Sequence, residues 1–368
     1  MRLLSTSSLK AGYKIGKCIY NERGQILLNE GVELTDRLIV RLQELGIPYV
    51  YLADPKTERI VPTTSLTEQL RQQAIITIEE TFKNIEFKES ITGSFVVEKA
   101  SKRFMELIRS ILTEIKGNHE LLTLLTDVYT YDNYIFSHSL NVTLYSLAIG
   151  IELKLNQKQL ETLGLGAILH DVGKMMVPSE ILLKPGKLSD NEFEEVKKHS
   201  EYGFNLLRGV GTLPLLVAHC AYQHHERLDG SGYPRGLREQ DIHYFGKIIA
   251  VADVFDAVTS NRVYRSAMLP HHGLEILYAG SGTQFDTSII EAFRKAVAIY
   301  PNGVAVELNN GNKGIVARQN IGLSERPVLL ILEEDGYELK SPYEYDLKDH
   351  LDIIIVNCNT EVFEKQTC

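Results

Sequence analysis

Seven side chains in the middle of this sequence have the chemistry of metal ligands: His138, His170, Asp171, His199, His224, His225 and Asp253. Imidazole and carboxylate together suit borderline divalent metals. His170 and Asp171 are adjacent in ILHDVGK, after the apolar run LETLGLGAIL, so both can turn toward one pocket at a helix end. His224 and His225 are adjacent in AYQHHERLDGSGYP. Asp253 lies in the largely apolar KIIAVADVFDAVTS, where a carboxylate is expensive without a partner. Any one of the seven has an ordinary explanation as a hydrogen-bonded core residue. Together they exceed what one tetrahedral ion takes and suit two ions sharing a bridging carboxylate. Such a pair clamps a phosphodiester, generates hydroxide at neutral pH and neutralises the charge that develops in an in-line displacement.

The elements that must position these groups are helical. His138 opens the run that continues as SLNVTLYSLAIG, and His199 sits in EEVKKHSEYGFNLL. Residues 118–300 are expected to form an all-helical catalytic domain within a multidomain, mainly α protein. Residues 1–62 read as a small α+β domain. It contains a hairpin, KCIYNERGQILLNEG, with a turn around Asn21–Gly24, a helix DRLIVRLQELG capped by Thr35 and stopped by Gly46, and a strand PYVYLAD. Asp54 closes that strand like a phosphoacceptor, but a doubly wound receiver needs several more βα units, and the chain turns helical from about Ser65. Residues 63–117 predict a helical connector with a loop near Ser90–Gly93. Its amphipathic segments LTEQLRQQAIITIEETF and VVEKASKRFMELIRSILTEI fit either homodimerisation or ordinary packing on the next domain. Residues 301–368 predict a small β-rich domain, from GVAVEL, KGIVARQ, PVLLILEE and LDIIIVN separated by Asn-Gly, Asp-Gly and Pro signals.

A formal net charge of -9 argues against a binder of DNA or RNA polymers, so charge that holds an anionic substrate must be local. No apolar run approaches the roughly 18–20 residues of a membrane span, so no membrane insertion is expected. Cys18, Cys220, Cys358 and Cys368 are far apart and form no CxxC, which fits free thiols in a reducing, cytoplasmic compartment.

HDVGK together with HHERLDGSGYP resembles the HD-GYP phosphodiesterases, a branch of the HD superfamily. The chain fits all eight fixed positions of HHExxDGxGYP, and MVPSEILLKPGKLSDNEF, KHSEYGFNLL, ADVFDAVTSNRVYR and QFDTSIIEAF look like further blocks of that family. The resemblance covers about residues 120–300. It implies an HD-type fold, two divalent metal ions (iron, alternatively manganese) and hydrolysis of a cyclic dinucleotide such as cyclic di-GMP to linear pGpG, with further cleavage to GMP in doubt. It implies one metal site of His138, His170, Asp171 and Asp253, and another of Asp171, His199, His224 and His225. Some members add a carboxylate one turn before the first His and hold a third metal. Here that position is Tyr134, with Asp132 two residues further back, so two metals are expected. Lys174 would meet the scissile phosphate or protonate the leaving O3′. Arg262 and Arg265 would hold substrate phosphates, and Tyr233 would line the site for a base. Asp229 is expected to pin the GYP loop and Glu226 to orient a ligand His. His219, His243, His271 and His272 fall outside the matched positions and read as surface or packing residues. The rival readings are a non-catalytic cyclic-dinucleotide sensor and an HD hydrolase of another phosphoester. Cyclic di-GMP and a mixed cyclic GMP-AMP are not separated by any residue.

Overall fold

A computed structural model describes residues 1–21, 25–62, 66–85, 90–117, 134–184, 186–260 and 268–360. They fall into two compact units. One gathers residues from 1–65 and 297–368, and the other holds residues 66–118 and 132–296.

In the first unit, β1 (Arg2–Ser5) pairs antiparallel with β4 (Tyr49–Leu52), and β2 (Ile19–Tyr20) pairs with β3 (Ile26–Leu28). The middle of the expected turn, residues 22–24, lies outside the described residues. Helix α1 (Asp36–Glu44) starts where Thr35 Oγ1 accepts the Leu38 N–H at 3.3 Å, and it buries Ile39 and Leu42 against Leu4, Ile15 and Leu52. The C-terminal strands β5 (Ala305–Leu308), β6 (Lys313–Arg318), β7 (Val328–Glu334), β8 (Tyr337–Asp346) and β9 (Ile355–Asn359) form one antiparallel sheet in the order β8-β7-β6-β5-β9. Asp335 and Gly336 turn β7 into β8 with φ of 50° and 80°, the left-handed pair that a tight hairpin needs. The terminal segments share hydrogen bonds and a core. Leu3 N–H donates to Gly303 O at 2.8 Å, Tyr51 Oη donates to Asn302 O at 2.9 Å, and Ile60 packs with Ala305, Ile315 and Leu332.

The second unit is helical: α2 (Glu68–Lys83), α3 (Ser90–Gly117), α4 (Tyr134–Glu152), α5 (Gln157–Ile168), α6 (Ser179–Leu182), α7 (Asp190–Lys197), α8 (His199–Leu207), α9 (Leu215–Gln223), α10 (Tyr244–Thr259), α11 (Pro270–Ala279) and α12 (Thr287–Ala296). The helix α3 begins at Ser90, where the sequence suggests a loop. Gly93 serves packing instead of a turn, since a Cβ there would lie 2.9 Å from Leu206 Cδ1. The helices α2 and α3 pack on α4, α5 and α8, with Phe82, Phe104, Ile108 and Ile111 fully buried. The central pair is α4 and α10. Both are apolar on most sides, as helices enclosed by others must be, with Leu140, Leu144, Leu147, Ile248, Val251 and Phe255 buried. Among the described residues no helix is long and apolar enough to cross a membrane.

Candidate metal centre

The structure brings all seven candidate ligands together. Helix α5 is started by a capping box between Asn156 and Gln159 and buries Leu160, Leu163, Leu165 and Ile168. It ends at Ile168, and His170 and Asp171 occupy the turn that follows, before a 3-10 segment at Val172–Met176. His199 opens α8, His224 caps the C-terminus of α9, and His225 follows it. His138 lies one turn into α4, and Asp253 lies on α10. Six of the seven are fully or nearly buried, and His225 is the most open, with 22% of its side chain exposed.

Asp171 sits at the centre, and its two oxygens face different partners. Oδ2 lies 3.3 Å from His170 Nε2 and 3.5 Å from His138 Nε2, while Oδ1 lies 3.4 Å from His199 Nε2 and 3.8 Å from His224 Nε2. Two sets of donors share this carboxylate: His138, His170 and Asp171, and Asp171, His199, His224 and His225. Within each set the ligand atoms lie within 4.8 Å of one another. Asp253 adjoins both, 3.0 Å from His138 Nε2 and 3.5 Å from His225 Nδ1.

The partners of these rings decide which nitrogen of each is free for a cation. His170 Nδ1 meets Ala167 O at 2.7 Å, His199 Nδ1 meets Val196 O at 2.6 Å, and His224 Nδ1 meets Ala221 O at 2.9 Å. A carbonyl oxygen only accepts, so each Nδ1 must carry hydrogen, and a neutral ring then turns its Nε2 lone pair into the site. Those lone pairs face the Asp171 carboxylate and one another, with His199 Nε2 only 3.3 Å from His224 Nε2. His170 Nε2 and Asp171 Oδ1 are buried without a hydrogen-bond partner. Acceptors crowded in this way repel unless a cation lies among them, so the donor set fits divalent metal binding.

Ionisation agrees with that assignment. Burial pushes His199 down to about 4 and His225 down to about 3, and it drives His224 well below the usual imidazole value, helped there by the neighbouring imidazoles. All three imidazoles are neutral near pH 7. Burial alone would raise Asp171, but Lys174 and the neighbouring imidazoles outweigh it and hold the carboxyl well below its usual range. The same holds for Asp253, where burial is overcome by the hydrogen bond from His138 and by His225.

Lys174 follows in the 3-10 segment, and its Nζ donates to Asp171 Oδ2 at 2.5 Å with 15% of its side chain exposed. Tyr233 is half-buried, with its ring centroid 4.6 Å from that of His225. The GYP loop is pinned from two places. Asp229 Oδ1 accepts the Ser231 N–H at 2.9 Å, as expected for a local pin. Glu226 does not orient a ligand His. It is buried, and its two oxygens accept the Arg235 and Leu237 N–H groups, each at 2.8 Å, because the loop folds back over it. Gly232 permits that fold, since a Cβ there would come within 2.4 Å of Arg227 N. Arg262, Arg265 and Asp132 lie outside the described residues, as does the side chain of Tyr134. Among the remaining histidines, His243 caps α10 by accepting the Phe245 N–H at 3.1 Å, and His271 packs against the ring of His272. Asp256, which meets His138 Nδ1, and Asn141, which donates to Asp256, adjoin the donor cluster without having been expected. The signal for Asp256 was a second carboxylate three residues after Asp253 in an apolar helix.

A family profile described as HD domain matches residues 117–289. A cyclic di-GMP phosphodiesterase of Pseudomonas aeruginosa is 31% identical over 293 residues, 79% of this chain and 69% of that one. A cyclic di-GMP phosphodiesterase of Thermotoga maritima is 35% identical over 215 residues, 58% of this chain and 57% of that one. A 3′3′-cGAMP-specific phosphodiesterase of Vibrio cholerae is 37% identical over 169 residues, 46% of this chain and 36% of that one. The chain thus spans just over two thirds of the first relative and less than two thirds of the other two.

Proposed function

The chain belongs to the HD-GYP branch of the HD-domain phosphohydrolases, and from that premise we propose that it is a metal-dependent phosphodiesterase that opens a 3′,3′-cyclic dinucleotide such as cyclic di-GMP. The observation that carries this reading is the crowding of neutral imidazole lone pairs around one buried carboxylate whose two oxygens face different donor sets. His138, His170, Asp171 and Asp253 would hold one ion, and Asp171, His199, His224 and His225 the other. Iron is the first expectation and manganese the alternative, since these donors do not choose sharply among such metals. When bound, the ions activate water and neutralise charge on the phosphate.

The chain's own groups do the rest. Lys174 is held at the edge of the donor cluster by Asp171, where its ammonium would meet the scissile phosphate and give a proton to the departing O3′. Water adds to phosphorus, the bond to O3′ breaks, and a linear dinucleotide leaves. Arg262 and Arg265 would grip the phosphates, and Tyr233 would line the base. The free thiols of Cys18, Cys220 and Cys358 support a reducing, cytoplasmic setting.

The test is to load the protein anaerobically with iron or with manganese and follow cyclic di-GMP and 3′,3′-cyclic GMP-AMP by chromatography. Conversion to the linear dinucleotide is expected. A folded, metal-filled sample that binds either cyclic dinucleotide and turns over neither would show a sensor instead.

A further inference from the structure

Three of the ligand imidazoles are oriented by backbone carbonyls, through the Nδ1 contacts to Ala167, Val196 and Ala221. His138 is oriented differently. Its Nδ1 lies 2.6 Å from Oδ2 of Asp256, which is itself buried. The other oxygen of Asp256 accepts from Asn141 Nδ2 at 2.9 Å and from Ser260 Oγ at 3.0 Å. Asp256 thus meets the Nδ1 side of the ring, away from the Nε2 that faces Asp171 and Asp253, and both of its oxygens are engaged there. The helical spacing explains the arrangement. His138 and Asn141 project from one face of α4, and Asp253 and Asp256 from one face of α10, each pair three residues apart, so the two faces close on each other.

We propose that Asp256 is a positioning residue that makes the metal position containing His138 the tighter of the two. The proposal rests on the two-metal reading above. A carboxylate draws on the Nδ1 hydrogen more strongly than a neutral carbonyl does, which raises the electron density that Nε2 can donate and locks the ring's direction. In the other set, His199 and His224 have only neutral carbonyls behind them, at 2.6 and 2.9 Å, and His225 meets a carboxylate only at 3.5 Å. The opposing view makes Asp256 a polar clamp between α4 and α10, with no bearing on metal.

Competition of manganese against a calibrated chelator, with metal content measured in parallel, separates the two. The wild-type protein is expected to take up two equivalents with affinities at least about 10-fold apart. Asp256→Asn, which keeps the shape and removes the charge, should weaken one equivalent by about 10–100-fold and leave the other within about 3-fold. Asn141→Ala, which loosens the clamp and keeps the charge, should leave both within about 3-fold while lowering the melting temperature of the metal-free protein at least as much as Asp256→Asn does. Two equal affinities in the wild type, or an Asp256→Asn protein that binds both equivalents normally, overturns the proposal and leaves the two-metal reading standing. A wild-type protein that binds no manganese or iron overturns the two-metal reading itself.

Discussion

Gly173 and His199 are in backbone contact: a Cβ on Gly173 would come within 2.0 Å of the His199 carbonyl oxygen and 2.5 Å of Gly203 N. The 3-10 segment that directly follows His170 and Asp171 therefore lies against the first turn of the helix that carries His199. That contact sets the separation between the two donor sets. Gly173→Ala must push α8 away, at a cost of at least about 2 kcal/mol in denaturant unfolding. Because the strain falls on His199, metal content should fall as well. Gly203→Ala is the milder control, since its Cβ would meet Ala221 Cβ at 3.2 Å. Equal stability and metal content in Gly173→Ala and wild type would show that the two segments do not need this approach.

Among the candidate ligands, Asp253 was legible because a carboxylate is costly in an apolar helix, whereas His170, Asp171, His224 and His225 were legible as the HD pair and the HHExxDGxGYP pattern. Asp256 carries the same signal in ADVFDA, a second carboxylate in an apolar helix. Its role depends on which side chain of α4 faces it, and that is a tertiary fact. Glu226 was misassigned for a similar reason, because nothing local says that residues 235 and 237 return to it. The expected loop at Ser90–Gly93 is instead the first turn of α3, since Gly93 resembles a turn signal but serves close packing on Leu206. The strands β1 and β8 were not anticipated. RLLS is too short to show alternation, and YELKSPYEYD is an edge strand with mostly exposed or half-exposed positions and a proline, so it lacks the apolar period that marks a strand.

Glu226 gives a second prediction. Its carboxylate is the acceptor for two loop amides, so Glu226→Gln turns an amide N–H₂ toward one of them and leaves that donor without a partner, at about 1–3 kcal/mol. The loop should open locally while the helices hold. Hydrogen exchange at the Arg235 and Leu237 amides is expected to speed up, and KM for the cyclic dinucleotide should rise more than kcat falls. Unchanged exchange at both amides would mean that the loop is held by other contacts.

His138 gives a prediction in pH. Burial alone would lower it, but the hydrogen bonds and charges of Asp253 and Asp256 overcome this and raise it to about 9. A histidine raised above its unfolded value near 6.5 stabilises the metal-free fold fully below that pH and loses the effect as pH rises through about 9. His199 and His225, at about 4 and about 3, do not titrate in that window. Chelated protein should therefore lose stability between pH 6.5 and 9, and His138→Asn should flatten that slope. Metal binding at pH 7 must also displace the Nε2 proton, so calorimetry in buffers of different ionisation enthalpy should register release of about one proton. No proton release would indicate that His138 is already neutral or does not bind metal.

Lys174 separates chemistry from metal binding. Its Nζ contacts Asp171 Oδ2, yet an ammonium cannot ligate a metal, so its removal should spare the donor sets. Lys174→Met keeps the length and apolar stem and removes the proton donor. Positioned proton transfer typically contributes about 10²–10⁴-fold, so kcat should fall by at least about 10²-fold. Metal content should remain that of wild type, because the carboxylate that Lys174 neutralises is then free to engage the ions on both oxygens. The loss should shrink for a substrate analogue whose O3′ is replaced by a better leaving group, since such a group needs no proton. An equal loss on both substrates would place Lys174 in phosphate binding instead, and a kcat within about 2-fold of wild type would remove it from the reaction altogether.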